Sequence, residues 1–573
     1  MLRFLIGLLA GIVLTVLTLV VGILLIARLS ERPPTIRPAS ALVLNLEGDV
    51  PERAPLDLPI PLLQAKAPLT VTDYWRLLRR AENDARIKAV VLMPGRIGTG
   101  WAKLQELHAD LARLKAAGKP LEAYLRMPSA REYYLATTAA RIHMSPEDML
   151  DLKGLRAELM FLRGTLDKLG VAVEIQHAGK YKDFGDMFTR SSMSPETREV
   201  LNSILDELYG HLIQTIAAGR NRKPEEIRSI IDEGPFLARQ AVDRGLVDSL
   251  LYEDQFFEEL AKQAGVPRLN RLSARDYLRS VLAESSPSRN RVALILAQGT
   301  ITRGAGGEFG QDSGIASEEF IKTLRQVRED KSIRAAVVRI DSPGGDAFAS
   351  DEIWREMNLL NGSKPVVISM SDEAASGGYY IAMSGAPVVA YPGTITGSIG
   401  VVYGKVNLRG LYSKLGITKD LLTRGRFADI DSDYVPLSDA ARQKLREGVD
   451  ATYRAFVERV AGARKRKFEE VEPLAQGRVW LGSQAHARGL VDELGGLDRA
   501  FELVRERAKI PAQEPVTILV YPPKRSLLER LLEKPSALAA APDWLERLLS
   551  RWPSSSFGQG AYLKLMPFTL EIR

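Results

Sequence analysis

A serine with small neighbours carries the clearest chemical signal in this sequence. Ser376 lies in the segment 374–379, Ala-Ala-Ser-Gly-Gly-Tyr, between an apolar run at 365–369 that predicts a buried strand and a helical pattern that begins near Tyr379. The small side chains on both sides would let a substrate approach the serine hydroxyl closely. Many serines at such positions only cap a helix, so the motif alone leaves both a nucleophile and a structural cap open.

An internal repeat helps to separate these two roles. Four segments of the first half match segments of the second half at nearly constant offsets, 246 residues for three pairs and 244 for the fourth. The matched pairs are 87–92 with 333–338, 133–136 with 379–382, 169–171 with 415–417, and 245–248 with 489–492. The two halves of the chain are therefore tandem copies of one domain.

The two copies keep different polar residues. Ser376 falls opposite Ala130, so the first copy lacks the nucleophile, whereas Lys182 of the first copy has no counterpart in the second. Only the second copy keeps the glycine-rich segments 342–345 and 396–400. This pattern is expected if an ancestral domain held a whole site and each copy kept a different part, although a lone lysine is most often a surface charge.

Lysine is the base that the composition leaves for a serine nucleophile. The chain has no cysteine, which excludes thiolate catalysis, and none of its five histidines has a second ligand at metal-binding spacing. A serine hydroxyl needs a base, and a lysine, whose ordinary pKa is about 10.4, serves at neutral pH only where burial lowers that pKa. A Ser-His-Asp triad that uses His177 is the alternative, but no aspartate is specially placed to orient that ring.

Groups near Ser376 could complete such a site. The Ser398 hydroxyl could accept a hydrogen bond from the lysine and fix its orientation. The backbone N–H groups of Gly344 or Gly345, and of Gly377 after the nucleophile, could stabilise a tetrahedral oxyanion, an effect of roughly 3–4 kcal/mol per donor. The sequence predicts no metal ion and no other cofactor.

The first residues predict a membrane anchor. The segment 4–27 carries no charge, and as a helix it would span about 36 Å, enough to cross a bilayer. A cleaved signal peptide is the alternative, but no small-x-small cleavage site follows the apolar run. The net charge of +7 suits contact with an acidic membrane surface, and no basic patch with interleaved aromatic residues predicts nucleic-acid binding.

The chain divides into six predicted parts. Each copy alternates helical patterns with short apolar strands, which predicts an α/β fold with a largely parallel sheet. The parts are a transmembrane anchor at 1–28, a linker at 29–40, an N-terminal α/β repeat at 41–284, a linker at 285–291, a C-terminal α/β repeat at 292–521, and a tail at 522–573 with short amphipathic helices.

Four motifs together resemble one known family. They are Ser-Pro-Gly-Gly at 342–345, the segment 374–379, Thr-Gly-Ser-Ile-Gly at 396–400 and Gly-Lys-Tyr-Lys at 179–182. In this combination the chain resembles the signal peptide peptidase A (protease IV) family in its long, duplicated bacterial form, from the anchor to about residue 510. The resemblance implies tandem Clp protease/crotonase-like domains, with Ser376 as nucleophile, Lys182 as general base from the first domain, and Ser398 as the group that orients this lysine.

The same resemblance implies a location and a substrate. Members of the family are tethered to the bacterial inner membrane by a single helix, face the periplasm, assemble as homotetramers and degrade remnant signal peptides. We therefore expect a serine endopeptidase for apolar, extended peptides, anchored in membrane lipid. Two other interpretations stay open: a crotonase-like acyl-CoA enzyme, which would not need Ser376, and a non-catalytic membrane scaffold.

Overall fold

The computed structural model describes most of the two predicted repeats. The described residues are 33–54, 67–284, 286–305, 314–523 and 562–566, together with six isolated positions before residue 23. The predicted anchor at 4–27 and the predicted tail helices lie almost wholly outside these residues. Within the described ranges, no helix is long and apolar enough to cross a membrane.

The first domain contains nine strands and ten helices in the described residues. The strands are β1 (Ser40–Leu44), β2 (Ile87–Leu92), β3 (Leu121–Leu125), β4 (Arg141–Met144), β5 (Met149–Leu150), β6 (Ala172–Ala178), β7 (Phe236–Leu237), β8 (Ser249–Leu250) and β9 (Asn270–Ser273). The helices are α1 (Val71–Glu82), α2 (Trp101–Ala116), α3 (Ala130–Ala136), α4 (Arg163–Leu169), α5 (Asp186–Thr189), α6 (Pro195–Arg220), α7 (Pro224–Ile231), α8 (Ala238–Asp243), α9 (Glu253–Gln263) and α10 (Ala274–Glu284).

The second domain begins with a strand at Asn290. Its strands are β10 (Asn290–Gln298), β11 (Thr300–Thr302), β12 (Gly314–Ala316), β13 (Ile333–Ser342), β14 (Gly344–Asp346), β15 (Val366–Ala375), β16 (Val388–Ala390), β17 (Ile395–Gly397), β18 (Val401–Asn407), β19 (Val479–Leu481), β20 (Glu493–Leu494) and β21 (Val516–Tyr521), and β22 (Tyr562–Leu565) follows in the tail. Its helices are α11 (Ser317–Glu329), α12 (Ala347–Ser363), α13 (Gly377–Ala382), α14 (Arg409–Lys414), α15 (Asp439–Arg464), α16 (Phe468–Val471), α17 (Gly482–Ala487) and α18 (Leu497–Arg507), with a 3₁₀ turn at Glu472–Leu474.

The two parallel sheets share one strand order, which confirms the predicted tandem duplication. The order of the six parallel strands is β8-β4-β3-β2-β1-β9 in the first domain and β20-β16-β15-β13-β10-β21 in the second, where β17 also pairs with β15 and β19 pairs antiparallel with β17. Equivalent side chains also make equivalent contacts, because the hydroxyl groups of Tyr133 and Tyr379 donate to the carbonyl oxygens of Leu246 and Leu490, both at 2.7 Å.

A third sheet contains strands from both domains. Its order is β12-β11-β14-β22-β18-β6, and β6 of the first domain pairs antiparallel with β18 of the second over seven residue pairs. The pairing begins at Ala178, the last residue of β6, opposite Val401. It therefore carries the segment 179–182, which follows β6, into the second domain.

Buried ion pairs also fasten the first domain to the second. Arg339 of β13 is 1% exposed and donates to the carboxylates of Glu52 at 2.9 Å and Glu106 at 2.5 Å, both of the first domain. Asp372 of β15 accepts from the backbone N–H of Lys103 in the first turn of α2 at 2.9 Å. The relative position of the two copies therefore depends on charged groups that are largely removed from water.

Candidate active site

Ser376 lies at a strained turn between β15 and α13. Its φ of 53° and ψ of −112° are unusual for a residue with a side chain. Its backbone N–H donates to the Gly397 carbonyl at 2.8 Å, which helps to hold this conformation. The residue occupies the N-cap position of α13, but its side chain makes no capping hydrogen bond. The hydroxyl is directed elsewhere, unlike that of an ordinary helix cap.

Lys182 reaches the second domain through a loop that two glycines accommodate. The backbone N–H of Tyr181 in this loop donates to the Gln476 carbonyl of the second domain at 2.7 Å. A Cβ added at Gly477 would come within 2.6 Å of Lys182 Cβ, and one added at Gly400 within 3.0 Å of Lys182 Cδ. Larger side chains at these two positions would therefore displace the lysine.

The lysine and both predicted serines meet in one buried cluster. Lys182 Nζ lies 2.8 Å from Ser376 Oγ, 2.9 Å from Ser398 Oγ and 3.0 Å from the Ser398 carbonyl oxygen. All three side chains are fully buried. The two copies thus bring together a hydroxyl and an amine that are 194 residues apart in the chain.

Burial favours the neutral form of the Lys182 amine. Removal from water lowers its pKa well below the ordinary value, the nearby Asp183 carboxylate opposes this shift, and the charge of Lys564 adds to it. A neutral amine has two N–H donors and one lone pair. The two Ser398 oxygens can accept from the donors, which leaves the lone pair for the Ser376 hydroxyl proton.

The predicted glycines lie beside Ser376, but their amides do not all face it. Gly344 has φ 103°, and its N–H donates to Ser342 Oγ at 3.2 Å. A Cβ added at Gly377 would lie 3.1 Å from the Gly345 nitrogen, so the backbone at Gly345 and Gly377 is in close contact. The Gly344 amide is therefore engaged with Ser342, whereas the backbone of Gly345 lies against that of Gly377.

Neither His177 nor Lys180 shares the position of Lys182. His177 is exposed, and its Nδ1 lies 3.1 Å from the Gly179 carbonyl oxygen. Lys180 is also exposed, with Nζ 5.0 Å from the centre of the Tyr181 ring. In the described part of the chain, no group of three or more His, Asp or Glu residues could hold a metal ion.

The second-domain residues that hold Lys182 in place carry no signal in the sequence. Gln476 and Gly477 carry no catalytic motif, and they contact the 179–182 loop only because β6 crosses to the second domain. The sequence also gave no sign of β22, which lies beyond the internal repeat. The sequence shows only a glycine at position 477, and the structure gives its reason, a φ of 73° and close packing against Lys182.

Comparisons with known proteins give the class of the chain. The model of Peptidase family S49 matches residues 113–267 and 358–511, one segment in each domain. The chloroplastic serine protease SPPA of Arabidopsis thaliana is 34% identical over 490 residues, which cover 84% of this chain and 71% of that protein. Protease 4 of Salmonella typhi is 33% identical over 452 residues, which cover 76% of this chain and 72% of that protein.

Solved structures give a weaker match. The 1510-N membrane-bound stomatin-specific protease is 16% identical, with 40% of this chain and 98% of that chain covered and a TM-score of 0.26. ClpP1 from Listeria monocytogenes has a TM-score of 0.22 at 15% identity, with 35% of this chain and 91% of that chain covered.

The sequence matches define a serine peptidase with two related domains. The chain belongs to peptidase family S49, and its predicted resemblance to the duplicated protease IV type is confirmed. A serine peptidase is neither the acyl-CoA enzyme nor the non-catalytic scaffold that the residues alone left open.

Proposed function

We propose that the chain is a membrane-anchored endopeptidase that uses Ser376 and Lys182 as a catalytic dyad. The observation that carries this proposal is the 2.8 Å contact between Lys182 Nζ and Ser376 Oγ in a fully buried site. Proton transfer between two groups requires this hydrogen-bond reach. The lowered pKa of Lys182 supports the direction of transfer, from the hydroxyl to the amine.

The proposed reaction proceeds through an ester of Ser376. As Ser376 Oγ attacks the scissile carbonyl carbon, the neutral amine of Lys182 takes the hydroxyl proton. The amides of Gly345 and Gly377 stabilise the oxyanion, and Ser398 keeps the lysine oriented. Lys182 then gives the proton to the leaving amine, and the same base activates the water that hydrolyses the ester.

The proposed substrates are apolar, extended peptides, including remnant signal peptides. A relative from Enterococcus faecium that is 28% identical over 270 residues is named a putative signal peptide peptidase. The uncharged segment 4–27 is the proposed single-pass anchor in the inner membrane, with the catalytic domains in the periplasm and four copies in the assembly. Tethering of this kind would keep the site close to peptides released into the same membrane.

Labelling by a serine-directed fluorophosphonate tests the dyad. We expect the wild-type chain to be labelled, Ser376→Ala to be unlabelled, and Lys182→Ala to be labelled at neutral pH at least about 100-fold more slowly, because the base is gone. Exposed Ser413 and Lys180 provide matched controls, and Ser413→Ala and Lys180→Ala should keep the wild-type rate. Unchanged labelling of Ser376→Ala would refute the nucleophile, and unchanged labelling of Lys182→Ala would refute the base.

A further inference from the structure

Arg478 lies on the second-domain side of the proposed base. It directly follows Gly477, which packs against Lys182, and directly precedes β19. Its side chain is only 15% exposed. A cation that is removed from water to this extent needs partners that compensate its charge. The partners of Arg478 come from both domains.

Two aromatic rings, one from each domain, contact the guanidinium of Arg478. Its central carbon lies 4.9 Å from the centre of the Tyr181 ring of the first domain and 4.5 Å from the centre of the Trp480 ring of the second. The planar guanidinium stacks on aromatic faces and is attracted by their negative charge. Because Tyr181 directly precedes Lys182, the contact with Arg478 restrains the chain next to the base.

Glu199 of α6 joins the same group from the first domain. Its carboxylate accepts a hydrogen bond from Arg478 Nη1 and another from the Tyr181 hydroxyl at 3.2 Å. The hydrogen bond from Arg478 is the main cause that holds the pKa of Glu199 below its ordinary value. The Glu199 side chain is 50% exposed, and an ion pair of this kind contributes little stability by itself. The carboxylate instead fixes the guanidinium and the tyrosine hydroxyl relative to each other.

The backbone of Arg478 holds the other partner of the lysine. Its carbonyl oxygen accepts from the N–H of Ser398 at 2.7 Å, and both oxygens of Ser398 contact Lys182 Nζ. Ser398 has a φ of 50°, a conformation that a residue with a side chain keeps only when its surroundings hold it. Arg478 therefore contacts both the segment that carries the lysine and the serine beside the lysine amine.

Arg488 offers a comparison within the same domain. Its guanidinium also lies against Trp480, with the central carbon 4.1 Å from the ring centre, and its Nη1 donates to the Gln484 carbonyl at 2.9 Å. Both contacts stay within the second domain. The same residue type on the same ring thus lacks the link to Tyr181 that Arg478 makes.

We propose that Arg478 is a positioning residue for the base, and that its guanidinium, packed on Tyr181, keeps Lys182 Nζ within hydrogen-bond reach of Ser376 Oγ. This inference rests on the proposed dyad and adds to it a residue that touches neither substrate nor reacting atoms. Among the described residues the guanidinium contacts Tyr181, Trp480 and Glu199, so it acts on the lysine through the neighbouring tyrosine. A displacement of about 1 Å can cost a reaction about 100-fold in rate.

Peptidase kinetics on the full-length protein test this role. We expect Arg478→Met to lower kcat about 100-fold and to change KM less than about twofold, because the base moves and no substrate contact is lost. Arg478→Lys keeps the charge but lacks the planar group, and we expect it to lower kcat about tenfold. The control Arg488→Met should keep both constants. A kcat within about twofold of wild type in Arg478→Met, or in Arg478→Lys, overturns the inference.

A double-mutant cycle separates positioning from a general loss of structure. Tyr181→Leu removes the ring from the first-domain side, and we expect it to lower kcat about as much as Arg478→Met does. Both single variants then remove the same contact, so the double variant should lose no more than about twofold beyond either one. Losses that multiply would overturn the action through Tyr181. Arg478→Lys takes the place of Arg478→Met in this cycle if the methionine variant does not fold.

Fluorophosphonate labelling of Ser376 distinguishes failure of this inference from failure of the dyad. We expect Arg478→Met to be labelled more slowly than wild type and Arg488→Met to be labelled at the wild-type rate. If Lys182→Ala slows labelling and Arg478→Met does not, the dyad stands and the role of Arg478 is refuted. If Lys182→Ala is labelled at the wild-type rate, the proposed function itself fails.

Discussion

At the scale of single residues, the carboxylate next to the base tunes the proposed dyad. Asp183 follows Lys182 directly, burial raises the pKa of Asp183 to about 6, and Thr197 donates a hydrogen bond to it. Its negative charge in turn raises the pKa of Lys182 against the larger effect of burial. The charge of Asp183 therefore limits how far the pKa of Lys182 falls below its ordinary value.

Replacement of this carboxylate predicts a shift of the pH profile. In Asp183→Asn the charge that favours the ammonium form is lost, so the pKa of Lys182 falls and the acid limb of kcat/KM moves to lower pH. The effect of the substitution on the pKa of Lys182 should be largest above pH 6, where Asp183 of the wild type is ionised. Asp186→Asn, three residues further on, is the control, and a limb that moves to higher pH in Asp183→Asn would contradict the proposed role.

At the scale of elements, the loop before β19 packs directly against Lys182, the proposed base. Gly477 has φ 73°, and a Cβ there would come within 2.6 Å of both the Lys182 nitrogen and Cβ. Backbone on both sides makes this contact rigid, so the lysine would have to move. A displacement of about 1 Å can cost a reaction about 100-fold in rate.

The variant Gly477→Ala separates this packing from backbone strain. We expect kcat to fall about 100-fold because Lys182 Nζ leaves the reach of Ser376 Oγ. Gly416 is a matched control, since it has a similar φ of 71° and nothing within 4 Å of an added Cβ. Gly416→Ala should have a similar backbone strain but keep the wild-type kcat, when both variants are measured with one peptide substrate. Equal losses in both variants would show that strain and not displacement is responsible.

The sequence predicted the parts of the site better than their assembly. The repeat comparison singled out Ser376 and Lys182, and the resemblance to the protease IV family gave Lys182 its predicted role as general base. The contact of Lys182 with Gly477 could not be found, since it follows from the pairing of β6 with β18 across the two copies. The position of β22 was equally hidden, because strand addition depends on backbone groups that every residue carries.

At the scale of the whole molecule, the proposed dyad can form only while the two copies stay docked. Lys182 comes from the first domain and Ser376 from the second, and the buried Arg339 joins the same two domains through Glu52 and Glu106. Burial raises the pKa of Glu106, and the Arg339 guanidinium counteracts that rise. Without the arginine, two carboxylates would remain buried with no cation between them.

Arg339→Met is therefore expected to lower the free energy of unfolding by about 3–5 kcal/mol, the usual effect of removing one partner of a buried ion pair. Arg325→Met is the control, because Arg325 pairs with Glu356 while 57% exposed, and its loss should cost less than about 1 kcal/mol. Urea titrations followed by tryptophan fluorescence and by peptidase activity would measure both effects. In Arg339→Met, peptidase activity should be lost at a lower urea concentration than the one at which tryptophan fluorescence changes. The reason is that the two copies separate, and Lys182 moves away from Ser376, before either domain unfolds. Loss of activity and change of fluorescence at the same urea concentration would contradict this order and would show that the two copies unfold as a single cooperative unit.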